Sequence, residues 1–183
     1  MNAKPKQSGV TLVELLAVIS MVAILMAIGV PSYRYVTVSN RVSGEINSLL
    51  GDLQYARYEA VKEGLPVTVC PAAATASTCA GGTAWGSGWI VLSNAAATGG
   101  TAAVLRRQLP FGSSNSTDTL VSSVAGSILF NREGFASALS GTGVTFTLND
   151  PTNTSSFKRC LQVGLSGMMA TAPSGASAVG VLC

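Results

Sequence analysis

The sequence predicts an α+β fold, with one long N-terminal helix packed on an antiparallel β-sheet or sandwich. Three observations carry that expectation. A charge-free apolar stretch runs from Leu15 to Tyr33. Beyond it, apolar residues recur at spacings of three and four as far as Ala60. From Pro66 onward, short runs rich in Val, Leu, Ile and Phe are separated by Gly, Ser, Asn and Pro clusters.

In chain order, residues 1–9 form a short polar leader carrying Lys4 and Lys6. Residues 10–33 form an apolar helix, and its 19 uncharged residues from Leu15 to Tyr33 are about long enough to span a hydrocarbon core. A secretory signal has a shorter apolar run, with its small-residue cleavage site after the run. Here the small residue, Gly9, lies before it. The lysines upstream place the N-terminus in the cytoplasm by the positive-inside rule. One acid, Glu14, stands near the start of the apolar stretch. An unpaired carboxylate inside a membrane helix costs roughly 2.5–3.5 kcal/mol on insertion scales, so its presence needs a reason.

Residues 34–64 read as the amphipathic continuation of the same helix. Val42, Ile46, Leu49, Leu50, Leu53, Ala56 and Ala60 make one stripe, and Arg41, Glu45, Asp52, Arg57, Glu59 and Lys62 fall mainly off it. Gly64 followed by Pro66 is a helix stop. Pro31 is expected to kink the helix where it leaves the membrane. Residues 65–183 read as a β-rich domain. Strands are expected at 66–70, 88–93, 102–109, 127–131, 144–148 and 159–165, with a last strand at 178–183. The stretches 72–84, 94–101 and 111–118 are loops.

Composition excludes several classes. The chain has 183 residues and a net charge of +3, of which Lys4 and Lys6 supply two, so the body is near neutral. That balance offers no general electrostatic case for nucleic acid as a partner. There is no His, which removes the commonest general base and the commonest metal ligand. No P-loop, G-x-S-x-G elbow or paired-carboxylate motif is present, so the chain reads as no enzyme, with no catalytic residue, cofactor or metal. Cys70, Cys79, Cys160 and Cys183 contain no CxxC pair. An even count beside an export-type N-terminus favours disulfides over buried thiols. Three pairings are possible. Cys70–Cys79 and Cys160–Cys183 are preferred because each closes a local loop. Trp85 and Trp89 flank Gly86-Ser87-Gly88, which reads as a turn with one Trp in the core rather than a binding platform. Arg106-Arg107 and Lys158-Arg159 read as solvated charge rather than a DNA-contact face, since alternate strand residues face opposite ways.

The segment Ser8-Gly9-Val10-Thr11-Leu12-Val13-Glu14-Leu15-Leu16 resembles the class III signal of type IV prepilins and type II secretion pseudopilins. The stretches Gln54-Tyr55-Ala56-Arg57-Tyr58-Glu59-Ala60-Val61-Lys62-Glu63-Gly64, Pro66-Val67-Thr68-Val69-Cys70, Trp85-Gly86-Ser87-Gly88-Trp89-Ile90-Val91-Leu92 and Phe130-Asn131-Arg132-Glu133-Gly134 resemble the GspH/FimT family of minor pilins and pseudopilins. The resemblance implies a pilin-like fold, cleavage by prepilin peptidase between Gly9 and Val10, and N-methylation of Val10. The family usually has Phe after the cut, and this chain has Val10. It also implies a kink at Pro31 and a single-pass protein of the bacterial inner membrane, with a periplasmic C-terminal domain, that later enters a fibre. The implied partners are prepilin peptidase, other minor pilins, the major pilin and inner-membrane lipid.

With that resemblance, Glu14 acquires a partner. Cleavage creates an α-amine at Val10, which is positive near neutral pH. In a fibre with a short axial stagger, one subunit's amine can meet its neighbour's Glu14 and set the register. The competing reading is an acid that simply complements the helix dipole. Thr11, Ala17, Ser20, Ala23, Ala27 and Gly29 would permit close helix packing, against the plainer reading of a lipid-facing anchor. The function implied is a minor pilin of a type IV pilus that helps initiate assembly near the fibre tip. The alternative is the minor pseudopilin of a type II secretion system. A DNA-uptake receptor is disfavoured, because the Gly-Arg-x-Arg motif of such relatives is replaced by Gly167-Met168-Met169-Ala170.

Overall fold

The computed structural model describes residues 9–73, 75–93, 102–111, 118–137, 139, 141 and 143–175. One helix, α1, runs from Leu12 to Glu63. Pro31 lies inside it without ending it. The chain divides into two compact units at Val38 and Ser39, so α1 contributes to both.

In the first unit the side chains are exposed from Gly9 to Thr37. Two hydroxyls in this stretch bond back to the helix itself. Ser20 donates to the Ala17 carbonyl at 2.8 Å and Thr37 to the Tyr33 carbonyl at 2.9 Å. An apolar helix can carry them without an outside partner.

In the second unit Val42, Ile46, Leu49, Leu53, Ala56 and Ala60 are buried, as their spacing predicts, and Leu50 is half-buried. Asp52 is also buried, against the expectation that it faces water. It lies three residues after Leu49 and four before Ala56, so it shares their face. Gly64 ends the helix at φ +67°, a left-handed conformation that glycine adopts without steric cost.

Among the described residues, nine strands follow. They are β1 (Val67–Pro71), β2 (Trp89–Ser93), β3 (Ala103–Gln108), β4 (Thr119–Ser122), β5 (Ile128–Phe130), β6 (Ala136–Ser137), β7 (Gly143–Asn149), β8 (Arg159–Gly164) and β9 (Met169–Pro173). They form a five-stranded sheet, β3-β2-β1-β5-β6, and a four-stranded sheet, β4-β7-β8-β9. All their pairings are antiparallel. Six of the expected strands are present. β4, β6 and β9 were not anticipated: β4 and β6 have only four and two residues, and β9 is mostly small or unbranched. The last expected strand, 178–183, lies outside the described residues.

The core takes Val144, Phe146 and Leu148 from alternate positions of β7, as a one-sided strand requires. The Trp85 ring meets Phe146 edge-on at 4.8 Å, and Trp89 meets Phe111 at 5.2 Å. Both tryptophans are about 1% exposed, so the turn between them buries two indoles rather than one. The segment before β2 reaches across to β4. Trp85 N–H donates to the Leu120 carbonyl and Ser122 N–H to the Thr83 carbonyl, each at 2.8 Å.

Candidate functional site

Gly9 and Val10 precede the helix, and Val10 is 72% exposed. A Cβ built on Gly9 would meet no atom within 4 Å, and its φ is not left-handed, so the local fold does not demand glycine there. Thr11 is the N-cap. Its Oγ1 accepts from Glu14 N–H at 3.3 Å, and its carbonyl accepts from Leu15 N–H at 3.1 Å. Thr11-Leu12-Val13-Glu14 is thus a capping-box sequence with the forward bond formed. Among the described residues, no cation pairs with the Glu14 carboxylate. It is exposed within an apolar surface that includes Leu12, Val13, Leu15, Leu16 and Val18. The helix is long and apolar enough to cross a membrane.

Among the described residues of the second unit, three side-chain clusters and one further hydrogen bond fasten α1 to the β domain. At the first, Asp52 accepts from Trp89 Nε1 and from Arg106 Nη1, both at 2.9 Å. The Arg106 guanidinium lies 4.2 Å over the Tyr55 ring. Arg106 therefore anchors β3 on the helix rather than presenting free surface charge. At the second, Arg41 Nη2 meets Asp118 Oδ1 at 2.8 Å, and its Nε lies 4.0 Å from Glu45 Oε1. Burial, reinforced by Asp118, pushes the Glu45 carboxyl up to about 8, while the Arg41 charge pulls the other way. At the third, Arg57 Nε donates to the Gly134 carbonyl at 2.9 Å. Gly167 packs onto the same point at φ +74°, where an added Cβ would stand 2.1 Å from the Gly134 oxygen. At the start of β8, Arg159 bonds the carbonyls of Ser156 and Lys158 and, on α1, the Ser39 hydroxyl.

Cys70 and Cys79 are disulfide-bonded, with Cα atoms 5.5 Å apart. This pins the loop after β1 beside Ala72 and Ile90. Cys160 is fully buried on β8, and its expected partner Cys183 lies outside the described residues. Gly167 sits in the turn between β8 and β9, but the turn is shorter than expected, because Met169 and Ala170 already belong to β9. Met168 is 71% exposed and lines a groove of about 550 Å³ with Gln54, Arg57, Tyr58 and Val61.

Sequence reasoning missed the clasps at Asp52, Arg57 and Asp118. The spacing of Asp52 from Leu49 and Ala56 was a usable signal. Nothing local marks Asp118, which meets Arg41 across 77 positions.

Two family models match the chain. Residues 45–167 match the type II transport protein GspH, and residues 4–30 match the prokaryotic N-terminal methylation motif. No curated protein is significantly similar in sequence. Two solved structures are similar in fold, both of the Pseudomonas aeruginosa type IV minor pilin FimU, in two crystal forms. The first is 23% identical, with a TM-score of 0.56 over 76% of this chain and 94% of that one. The second is also 23% identical, with a TM-score of 0.51 over 75% of this chain and 95% of that one.

Proposed function

The chain belongs to the GspH family, and from that premise we propose that it is a minor pilin: a structural subunit of a type IV pilus, anchored in the inner membrane until it enters the fibre. The observation that carries the reading is the joining, on one chain, of an N-terminal methylation motif over 4–30 to a GspH domain over 45–167. In this reading prepilin peptidase cuts between Gly9 and Val10 on the cytoplasmic side, and Val10 is then methylated. The absence of any local structural need for glycine at position 9 supports a residue read by a processing enzyme. The cut leaves Thr11 as the helix cap and frees an α-amine at Val10.

Glu14 then has a role that no contact within the described chain supplies. Its carboxylate pairs with the Val10 amine of a neighbouring subunit, which removes two poorly solvated charges together and sets the helix register. The Thr11 cap supports this by holding Glu14 in the first turn, where the helix N-terminus also favours a negative charge. Pro31 bends the helix near the membrane exit. The subunit works with other minor pilins and the major pilin to begin assembly, near the tip of the fibre.

Intact mass of the purified mature protein tests the processing. The expected species lacks residues 1–9 and carries one extra methyl, and an unprocessed chain would overturn the reading. The family description favours a second reading, a minor pseudopilin of a type II secretion system. A deletion strain separates the two. Loss of surface pili supports the pilus, and loss of exoprotein secretion with intact pili supports the secretion system. A DNA-receptor role has little support, since Arg106 is tied to Asp52, and Met168 and Ala170 stand where such relatives carry arginine.

A further inference from the structure

The clasp between α1 and the start of β4 sets two carboxylates against one arginine. Asp118 has a fully buried side chain and Glu45 one that is 11% exposed, and both stand against Arg41. With both carboxylates ionised, the cluster keeps one buried negative charge. Ionised carboxylates only accept hydrogen bonds, so neither could donate to the other. Glu45 Oε2 is buried and, among the described residues, has no hydrogen-bond donor. A proton on Glu45 mends both defects: it makes Glu45 a donor toward Asp118 and brings the cluster to neutrality. The charged groups acting on Glu45 are Arg41, from its own helix, and Asp118, from the chain entering β4.

We propose that Arg41, Glu45 and Asp118 form a proton-operated clasp that fastens α1 to β4 while one proton is held between the two carboxylates. The inference does not depend on the assembly role proposed above. Removing the proton leaves two buried anions side by side and loosens the join between helix and sheet.

Burial holds the Glu45 carboxyl up at about 8, against 4.5 for an ordinary Glu. Between those values the folded chain keeps a proton that the unfolded chain has released. Stability from this group is therefore full below about pH 4.5, declines as pH rises, and is gone above about 8. The window is unusually free of other groups, because the chain has no His.

Thermal unfolding of the full-length protein in detergent micelles, followed by circular dichroism from pH 5 to 9, tests this. The melting temperature should fall by about 5 °C or more between pH 5 and 8 and level off above. Glu45→Gln keeps a donor without the charge, so it should flatten the profile and melt at or above the unsubstituted protein at pH 8. An unchanged slope in that variant would overturn the proposal. Carbon NMR of the Glu45 carboxyl in the unsubstituted protein gives an independent reading. A midpoint well above the usual Glu value supports the clasp, and a midpoint near 4.5 sinks it.

Discussion

Glu14 and Asp52 sit on one continuous helix, yet the molecule treats them in opposite ways. Asp52 is buried and saturated, with Trp89 on one oxygen and Arg106 on the other. Glu14 is exposed on an apolar surface and meets no cation among the described residues. Asp52 is shielded by its own chain, whereas Glu14 lies on an apolar surface of the kind that lipid or a neighbouring helix would cover. An acid with its partner inside the chain contributes to the stability of that chain. In the proposed function, an acid whose surroundings call for a partner that the chain does not supply contributes to assembly instead. The Arg41 cluster lies between these cases, because its deficit is met by a proton rather than by another residue.

The comparison can be broken at either end. The largest effect is expected from Glu14→Val, which should leave processing and membrane insertion intact. Its amount in sheared fibres should fall by about tenfold or more, since an uncompensated charge is costly to pack. Quantitative immunoblots of membrane and fibre fractions measure this, and normal incorporation would remove the assembly role. Next comes Gly167→Ala, which forces a Cβ onto the Gly134 oxygen at a left-handed φ. Strain and overpacking together should cost roughly 2–4 kcal/mol in urea unfolding, and a neutral result would mean the Arg57 join can move. Asp52→Ala leaves the Trp89 indole without its acceptor and should cost roughly 1–3 kcal/mol, with Asp52→Asn recovering part of it. If Asp52→Ala instead depleted fibres without lowering stability, the contrast with Glu14 would fail. The smallest effect belongs to Thr11→Val, which removes the cap at a cost of about 1 kcal/mol. Amide exchange at Val13, Glu14 and Leu15 should speed up about fivefold, while exchange at Leu49 to Ala56 stays unchanged.

Much of the fold was legible because its signals are periodic. The stripe from Val42 to Ala60 is buried as its spacing requires, and six strands fall within a residue or so of their expected places. β6 was not legible, since two residues have no period. β9 was hidden because Met169-Ala170-Thr171-Ala172 has no clear alternation and Thr171 is its one β-branched residue, and it is a strand by virtue of pairing with β8. The capping box was visible in Thr11 and Glu14 as letters three apart. The Cys70–Cys79 bond followed from proximity along the chain, and the structure forms it.

The sequence alone determined the helix and its two characters, the processing motif, the β-rich body and the short disulfide. These depend on residues within a few positions of one another, where local sterics and hydrophobic period decide the outcome. Only the tertiary structure decided which charges are structural. Arg106 could have been surface charge until Asp52 was placed beneath it, 54 positions away. Glu45 could have been solvated until Asp118 met it across the fold. Whether a charged side chain is paired, protonated or left for a neighbour depends on desolvation and on distant partners, and those exist only once the sheets have closed on the helix.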